Sequence, residues 1–164
     1  MNATVEPLLR PARPEDTPLI IDLIRDLAEF ERLADQVCVD PALLEQHLFG
    51  PRPYAECVIA WSGAEAAGFA LYFHNYSTFV GRPGLYLEDL FVRPAYRGHG
   101  YGEALLRHLA RTALDRGCAR LEWSILDWNQ RAIDFYRKLG AEPMDEWTVF
   151  RVSGDALAQL AVRA

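Results

Sequence analysis

Hydrophobic positions along this chain change period several times, and each change marks an element. Residues 5–10 form a short apolar run closed by Arg10-Pro11-Ala12, which predicts a strand. Beyond it Leu19, Ile20, Leu23, Ile24, Leu27 and Phe30 recur at helical spacing, with Asp16 placed to cap the start. Asp40 stands likewise before a short helix over 41–48. Residues 54–61 and 67–75 read as strands joined at Ser62-Gly63, a hairpin, and 76–84 reads as a loop. A strand over 85–92 leads through a turn to a helix over 103–115, whose Leu105, Leu106, Leu109, Ala110, Ala113 and Leu114 share one face. A strand over 120–126, a helix over 129–139 stopped by Gly140, a strand over 147–152 and a helix over 154–162 complete the chain. The order β-α-α-β-β-β-α-β-α-β-α predicts a single α/β domain, residues 1–164, with helices on both faces of a mixed sheet.

Between the 85–92 strand and the next helix lies the hexapeptide Arg97-Gly98-His99-Gly100-Tyr101-Gly102. Glycines at alternate positions let the backbone turn sharply and approach a ligand without a Cβ in the way. Amide N–H groups at the start of the following helix lack helical partners and sit at the positive end of its dipole. That combination favours a phosphate or pyrophosphate. The hexapeptide lacks the Gly-Lys-Ser/Thr ending of a nucleoside-triphosphate loop, and its G-x-G-x-G spacing is not that of a dinucleotide fingerprint. Glu122 and Asp127 are not well placed to hold a ribose.

Arg97-x-x-Gly100-x-Gly102, following a strand that ends Phe91-Val92-Arg93-Pro94, resembles the acetyl-CoA signature of the GNAT superfamily of N-acetyltransferases. Asn129-x-x-Ala132-x-x-Phe135-Tyr136-x-x-x-Gly140 resembles the second half of that signature, at the usual separation. Two segments, 85–89 and 23–31, are similar to the diamine and polyamine (spermidine/spermine-type) branch. The resemblance implies a mostly antiparallel central sheet with one splayed parallel strand pair. It implies acetyl-CoA as co-substrate, with backbone groups of Leu90, Phe91 and Val92 pairing with the pantetheine. Residues Arg97, Gly98, His99, Gly100, Tyr101 and Gly102 would cradle the pyrophosphate, and Arg97 would add a charge-assisted contact. His99 reads as a spacer with an exposed ring.

Catalytic roles follow from the same resemblance. Tyr136 would protonate the departing thiolate, and Asn129 would both cap its helix and contact the pantetheine. Glu88 would bind the substrate ammonium or remove its proton through water, since an amine with a pKa of about 10 must be neutral to attack. Glu88 and Asp89 are adjacent on a strand, so alternation sends them to opposite faces and they form no dyad. Phe30, Glu31 and Glu146 (or its neighbour Asp145) would line the path of a small cationic amine; Phe30 stands where the branch typically has a tyrosine. The alternatives are a protein or peptide N-acetyltransferase of the same fold and a non-catalytic acetyl-CoA sensor. The branch also implies a homodimer through residues 144–152.

Composition narrows this reading without redirecting it. A net charge of −6 argues against nucleic acid and mildly for a cationic substrate. The longest apolar stretch, residues 66–73, is too short to span a bilayer, and no export signal is visible. Cys38, Cys57 and Cys118 form no metal motif and read as reduced, buried thiols of a cytoplasmic protein. His47, His74 and His108 have no metal-like spacing, so no metal is expected.

Overall fold

The computed structural model describes residues 7–162. Its contacts divide into two units, the first ending at Ser124 and the second spanning Ile125–Ala164. In the first unit five strands form one sheet in sequence order: β1 (Leu8–Pro11), β2 (Glu56–Ser62), β3 (Glu65–Ser77), β4 (Arg82–Val92) and β5 (Leu121–Trp123). The first three junctions are antiparallel and the last, β4 with β5, is parallel. Of the expected 5–10 strand, residues 5 and 6 lie outside the described residues.

Register partners Ile59, Phe69 and Phe91 line one face of the sheet. Helices α1 (Thr17–Phe30) and α2 (Pro41–Phe49) cover them, placing Ile20, Leu23, Leu27 and Leu48 in the same buried cluster. Helix α3 (Tyr101–Asp115) runs across β2, β3 and β4 with Leu105, Leu106, Leu109 and Ala113 buried. Its end stands by Tyr72, whose ring lies 6.0 Å from the Arg116 guanidinium. Tyr72 pairs with Leu87, so α3 takes the face opposite α1, and the predicted two-sided sheet is the one observed.

Two local expectations change. Asp40 caps α2 as predicted, accepting the Ala42 and Leu43 amides at 2.8 and 3.0 Å. Asp16 does not cap α1. Its carboxylate reaches back to the Arg13 amide at 2.8 Å and pairs with Arg10 at 3.0 Å, because Pro14–Asp16 forms a separate 3₁₀ turn. The 76–84 segment is a continuation of the hairpin rather than a loop. Ser77 pairs with Arg82, and Gly81, at φ 67°, closes a short turn by donating its N–H to the Ser77 carbonyl at 2.8 Å.

In the second unit α4 (Gln130–Lys138) and α5 (Gly154–Ala161) are the regular elements. The strand expected over 147–152 is absent. Trp147-Thr148-Val149-Phe150 has high strand propensity, but propensity without a ladder partner does not make a strand. Val149 is 81% and Phe150 92% exposed, and no described strand pairs with them.

Strands β3 and β4 approach closely at Gly68. A Cβ there would stand 2.3 Å from the Phe91 carbonyl oxygen and 3.0 Å from the Val92 Cα. Gly68→Ala is therefore expected to destabilise the chain by about 1–3 kcal/mol, read as a lower urea midpoint. An unchanged midpoint would show that the two strands have room to part.

Candidate active site

The site begins where the parallel pair ends. Leu85, Tyr86 and Leu87 pair with Leu121, Glu122 and Trp123, and there β5 stops. Strand β4 continues through residues 88–92 with no described strand paired on that edge, so their outward N–H and C=O groups are left out of the ladder. The splay implied by the resemblance is present.

At the same point the antiparallel register slips. Tyr72 faces Leu87 and Leu71 faces Asp89, so Glu88 is the extra residue of a β-bulge. Simple alternation of faces is broken at this bulge. Leu87 and Asp89 are two apart yet face opposite sides, since their partners Tyr72 and Leu71 do. Asp89 joins Phe91, Phe69 and Leu71 on the α1 face, while Glu88 at the bulge is exposed.

Asp89, rather than Glu88 alone, comes to the candidate site. Its carboxyl is pushed up to about 6, first by burial and then by the charges of Glu88 and Glu31. Burial also raises Glu31, the residue that ends α1. No Lys, Arg or His of the described first unit pairs with Asp89. The signal was the Glu-Asp pair itself; the bulge that turns Asp89 toward Glu31 depends on cross-strand register. Glu29, one residue before Phe30, instead lines a separate surface cleft of about 290 Å³ with Arg25, Val37 and Cys38.

Gly98 and Gly100 adopt φ of 81° and 85°, the left-handed region, and Gly100 is the N-cap of α3. The first intrahelical bond runs from the Ala104 N–H to the Gly100 carbonyl at 2.9 Å. The amides of Tyr101, Gly102 and Glu103 therefore point out of the helix end, a donor set that fits a pyrophosphate. His99 is exposed, as expected of a spacer. The Tyr101 ring is buried against Tyr96 at 5.9 Å, leaving only its backbone for a ligand.

Arg97 contacts both the end of β4 and α1. Its Nε donates to the Val92 carbonyl at 2.9 Å, and its guanidinium lies 4.4 Å from the Phe30 ring centre and 5.6 Å from that of Phe91. Phe30 and Phe91 are themselves 6.4 Å apart. Phe30 thus offers a ring face to a cation of the glycine loop.

In the second unit Asn129 caps α4, its side-chain oxygen accepting the Ala132 N–H at 3.2 Å. Tyr136 is buried on α4 beside Phe135 at 5.2 Å, and burial pushes its hydroxyl up to about 12. The phenol is protonated across the physiological range. Glu146 and Asp145 are exposed in a segment without regular structure, where the Trp147 N–H reaches the Met144 carbonyl at 3.1 Å. Of the cysteines, Cys57 and Cys118 are buried and Cys38 is exposed, contrary to the expectation that all three are core residues. No group of three or more metal-ligating side chains occurs among the described residues.

Because Asp89 holds its proton more tightly folded than unfolded, its contribution to stability is full below its unfolded value, about 3.9, and falls as pH rises toward 6. Asp89→Asn is expected to be more stable than the native chain at pH 8, on the order of 1–2 kcal/mol after allowing for partial exposure. The gain should vanish near pH 4, and equal urea midpoints at pH 8 would contradict it.

The chain matches the Acetyltransferase (GNAT) family over residues 20–141. It is 41% identical to the thialysine N-epsilon-acetyltransferase of Bos taurus, covering 94% of this chain and 96% of that protein. Identity to the L-ornithine N5-acetyltransferase of Arabidopsis thaliana is 31%, over 91% of this chain and 85% of the relative. Among solved structures, an integron cassette protein from the mobile metagenome of V. cholerae superposes with a TM-score of 0.78 at 25% identity, covering 96% of this chain and 98% of that one. An aminoglycoside acetyltransferase from an uncultured soil metagenomic sample shares the fold at TM-score 0.75 and 18% identity, over 90% and 95% of the two chains. The splayed strand, the glycine loop at a helix N-terminus and these full-length similarities agree: the chain belongs to the GNAT family and is an N-acetyltransferase.

Proposed function

We propose that this enzyme transfers an acetyl group from acetyl-CoA to a primary amine of a small cationic substrate, a polyamine, a diamine or a basic amino acid of the thialysine type. The observation that carries the substrate class is Asp89, a half-buried carboxyl crowded by Glu88 and Glu31. An ammonium group drawn among these three carboxyls relieves their mutual repulsion, whereas a neutral or anionic substrate does not. The names of the relatives, thialysine and L-ornithine acetyltransferases, agree with a short amine-bearing substrate.

Acetyl-CoA supplies an activated acyl group with a thiolate leaving group. In this reading the amides of residues 101–103 hold its pyrophosphate, and the unpaired edge of Leu90, Phe91 and Val92 holds the pantetheine as an added strand. A backbone N–H of that edge polarises the thioester carbonyl. Exposed Glu88 takes the ammonium proton through water, since an ordinary carboxylate is a weak direct base for an amine. Tyr136, kept protonated by burial, gives its proton as the C–S bond breaks and recovers one from solvent. Asn129 has its oxygen committed to the helix cap and its amide NH₂ available to the pantetheine.

The apolar run Trp147, Val149 and Phe150, exposed and without a ladder partner, suits docking on a second copy, so we read the enzyme as a homodimer. The net charge of −6 does not suit nucleic acid, and no described helix is long and apolar enough to cross a membrane. Three free cysteines fit a reducing, cytoplasmic setting.

The test of function is CoA release with spermidine, spermine, putrescine, thialysine, lysine and a basic peptide. Turnover is expected on a small amine, falling about a hundredfold or more in Tyr136→Phe and in Glu88→Gln. Reaction with the peptide alone would replace this reading with a protein acetyltransferase. Acetyl-CoA binding without turnover on any amine would replace it with a sensor. For assembly, light scattering should give a dimer for the native chain and a monomer for Val149→Asp/Phe150→Asp; a monomeric native chain would end the dimer reading.

A further inference from the structure

Asp26 and Phe30 stand one turn apart on α1 and so share a face. Arg93 and Arg97 bracket the 3₁₀ turn Pro94–Tyr96 that leads from β4 into the glycine loop. The two pairs meet as two rungs. The Arg93 Nε donates to Asp26 Oδ2 at 2.7 Å, and the Arg97 guanidinium lies 4.4 Å from the Phe30 ring centre.

Arg93 is also fixed to the sheet. Its backbone N–H donates to the Ala67 carbonyl at 2.9 Å, and its Nη1 to the Ala66 carbonyl at 3.1 Å. Its own carbonyl accepts the Tyr96 N–H at 2.9 Å, closing the turn. One guanidinium therefore joins α1, the start of β3 and the entry to the glycine loop.

We propose that Asp26 is a positioning residue for acetyl-CoA: through Arg93 it holds the entry of the glycine loop in register with α1, the helix that carries Phe30 and Glu31. The inference rests on the loop being the pyrophosphate cradle. Asp26 touches neither substrate; it sets where the amides of residues 101–103 stand relative to the amine side of the site. Both partners are partly exposed, at 30% and 40% for the Arg93 and Asp26 side chains, so removing the carboxylate opens no core cavity. Its loss releases the second anchor of the Arg93 guanidinium and leaves the loop entry tied to α1 only through the Arg97 contact with the Phe30 ring. A loosened support is felt at the ligand before it is felt in the fold.

The test is calorimetric titration of CoA into the native chain, Asp26→Ala, Arg93→Met, the double variant and Arg93→Lys, with a thermal melt of each. Each single is expected to weaken CoA binding about fivefold, the scale of a charge-assisted, partly exposed pair. The double should be no weaker than the worse single, Arg93→Lys should recover part of the loss, and melts should stay close to native. In turnover, the KM for acetyl-CoA should rise with kcat little changed. Native-like CoA binding by the singles, additive losses in the double, or losses that track the melts without rescue by lysine would each overturn the proposal alone. A native chain that binds no CoA would overturn it together with the cradle reading on which it rests.

Discussion

The early end of β5 is the constraint on which the first unit's site depends. Three pairs of residues join the parallel strands, and there β5 ends while β4 runs on to Val92. An open strand edge inside a domain is ordinarily a liability, because its polar backbone groups need partners. Here the edge lies beside a glycine loop whose helix-end amides also need partners. One extended, phosphate-bearing ligand would satisfy both sets, which is the place we propose for acetyl-CoA.

The bulge at Glu88 adds the second half of the logic. Without the extra residue, the register of β4 would carry Asp89 and Leu87 on the same face. With it, the buried apolar series Leu85 and Leu87 stays against α3, while Asp89 turns toward α1 and Glu31. A sheet interior thereby acquires a carboxyl that is uncomfortable when charged. The positive charge of the amine that we propose as substrate would relieve it.

Two arginines of the described first unit have partners of their own. Arg93 is committed to Asp26 and the Ala66 carbonyl, and Arg97 to Val92 and the ring of Phe30. Phenylalanine at position 30 gives the Arg97 guanidinium a ring face. Both loop arginines thereby tie the glycine-loop entry to the framework.

Local chemistry was legible in the amino-acid sequence wherever it depended on neighbours along the chain. Asp40 as a cap, Asn129 as a cap, the amphipathic face of α3 and the glycines before it are set by spacings of two to four residues, which sequence displays directly. The family signature carried the parallel pair that ends early. What the tertiary structure alone decided were features fixed by partners far away in sequence. Cross-strand pairing of Leu71 and Tyr72 with Asp89 and Leu87 created the bulge, and the approach of α1 to the end of β4 chose the partners of Arg93 and Arg97. The missing ladder left residues 147–152 without the strand their propensity favours. Propensity and capping act within one turn or one pleat, whereas register and ion pairing are settled when distant segments meet, and the carboxyls that we read as the amine site are of the second kind.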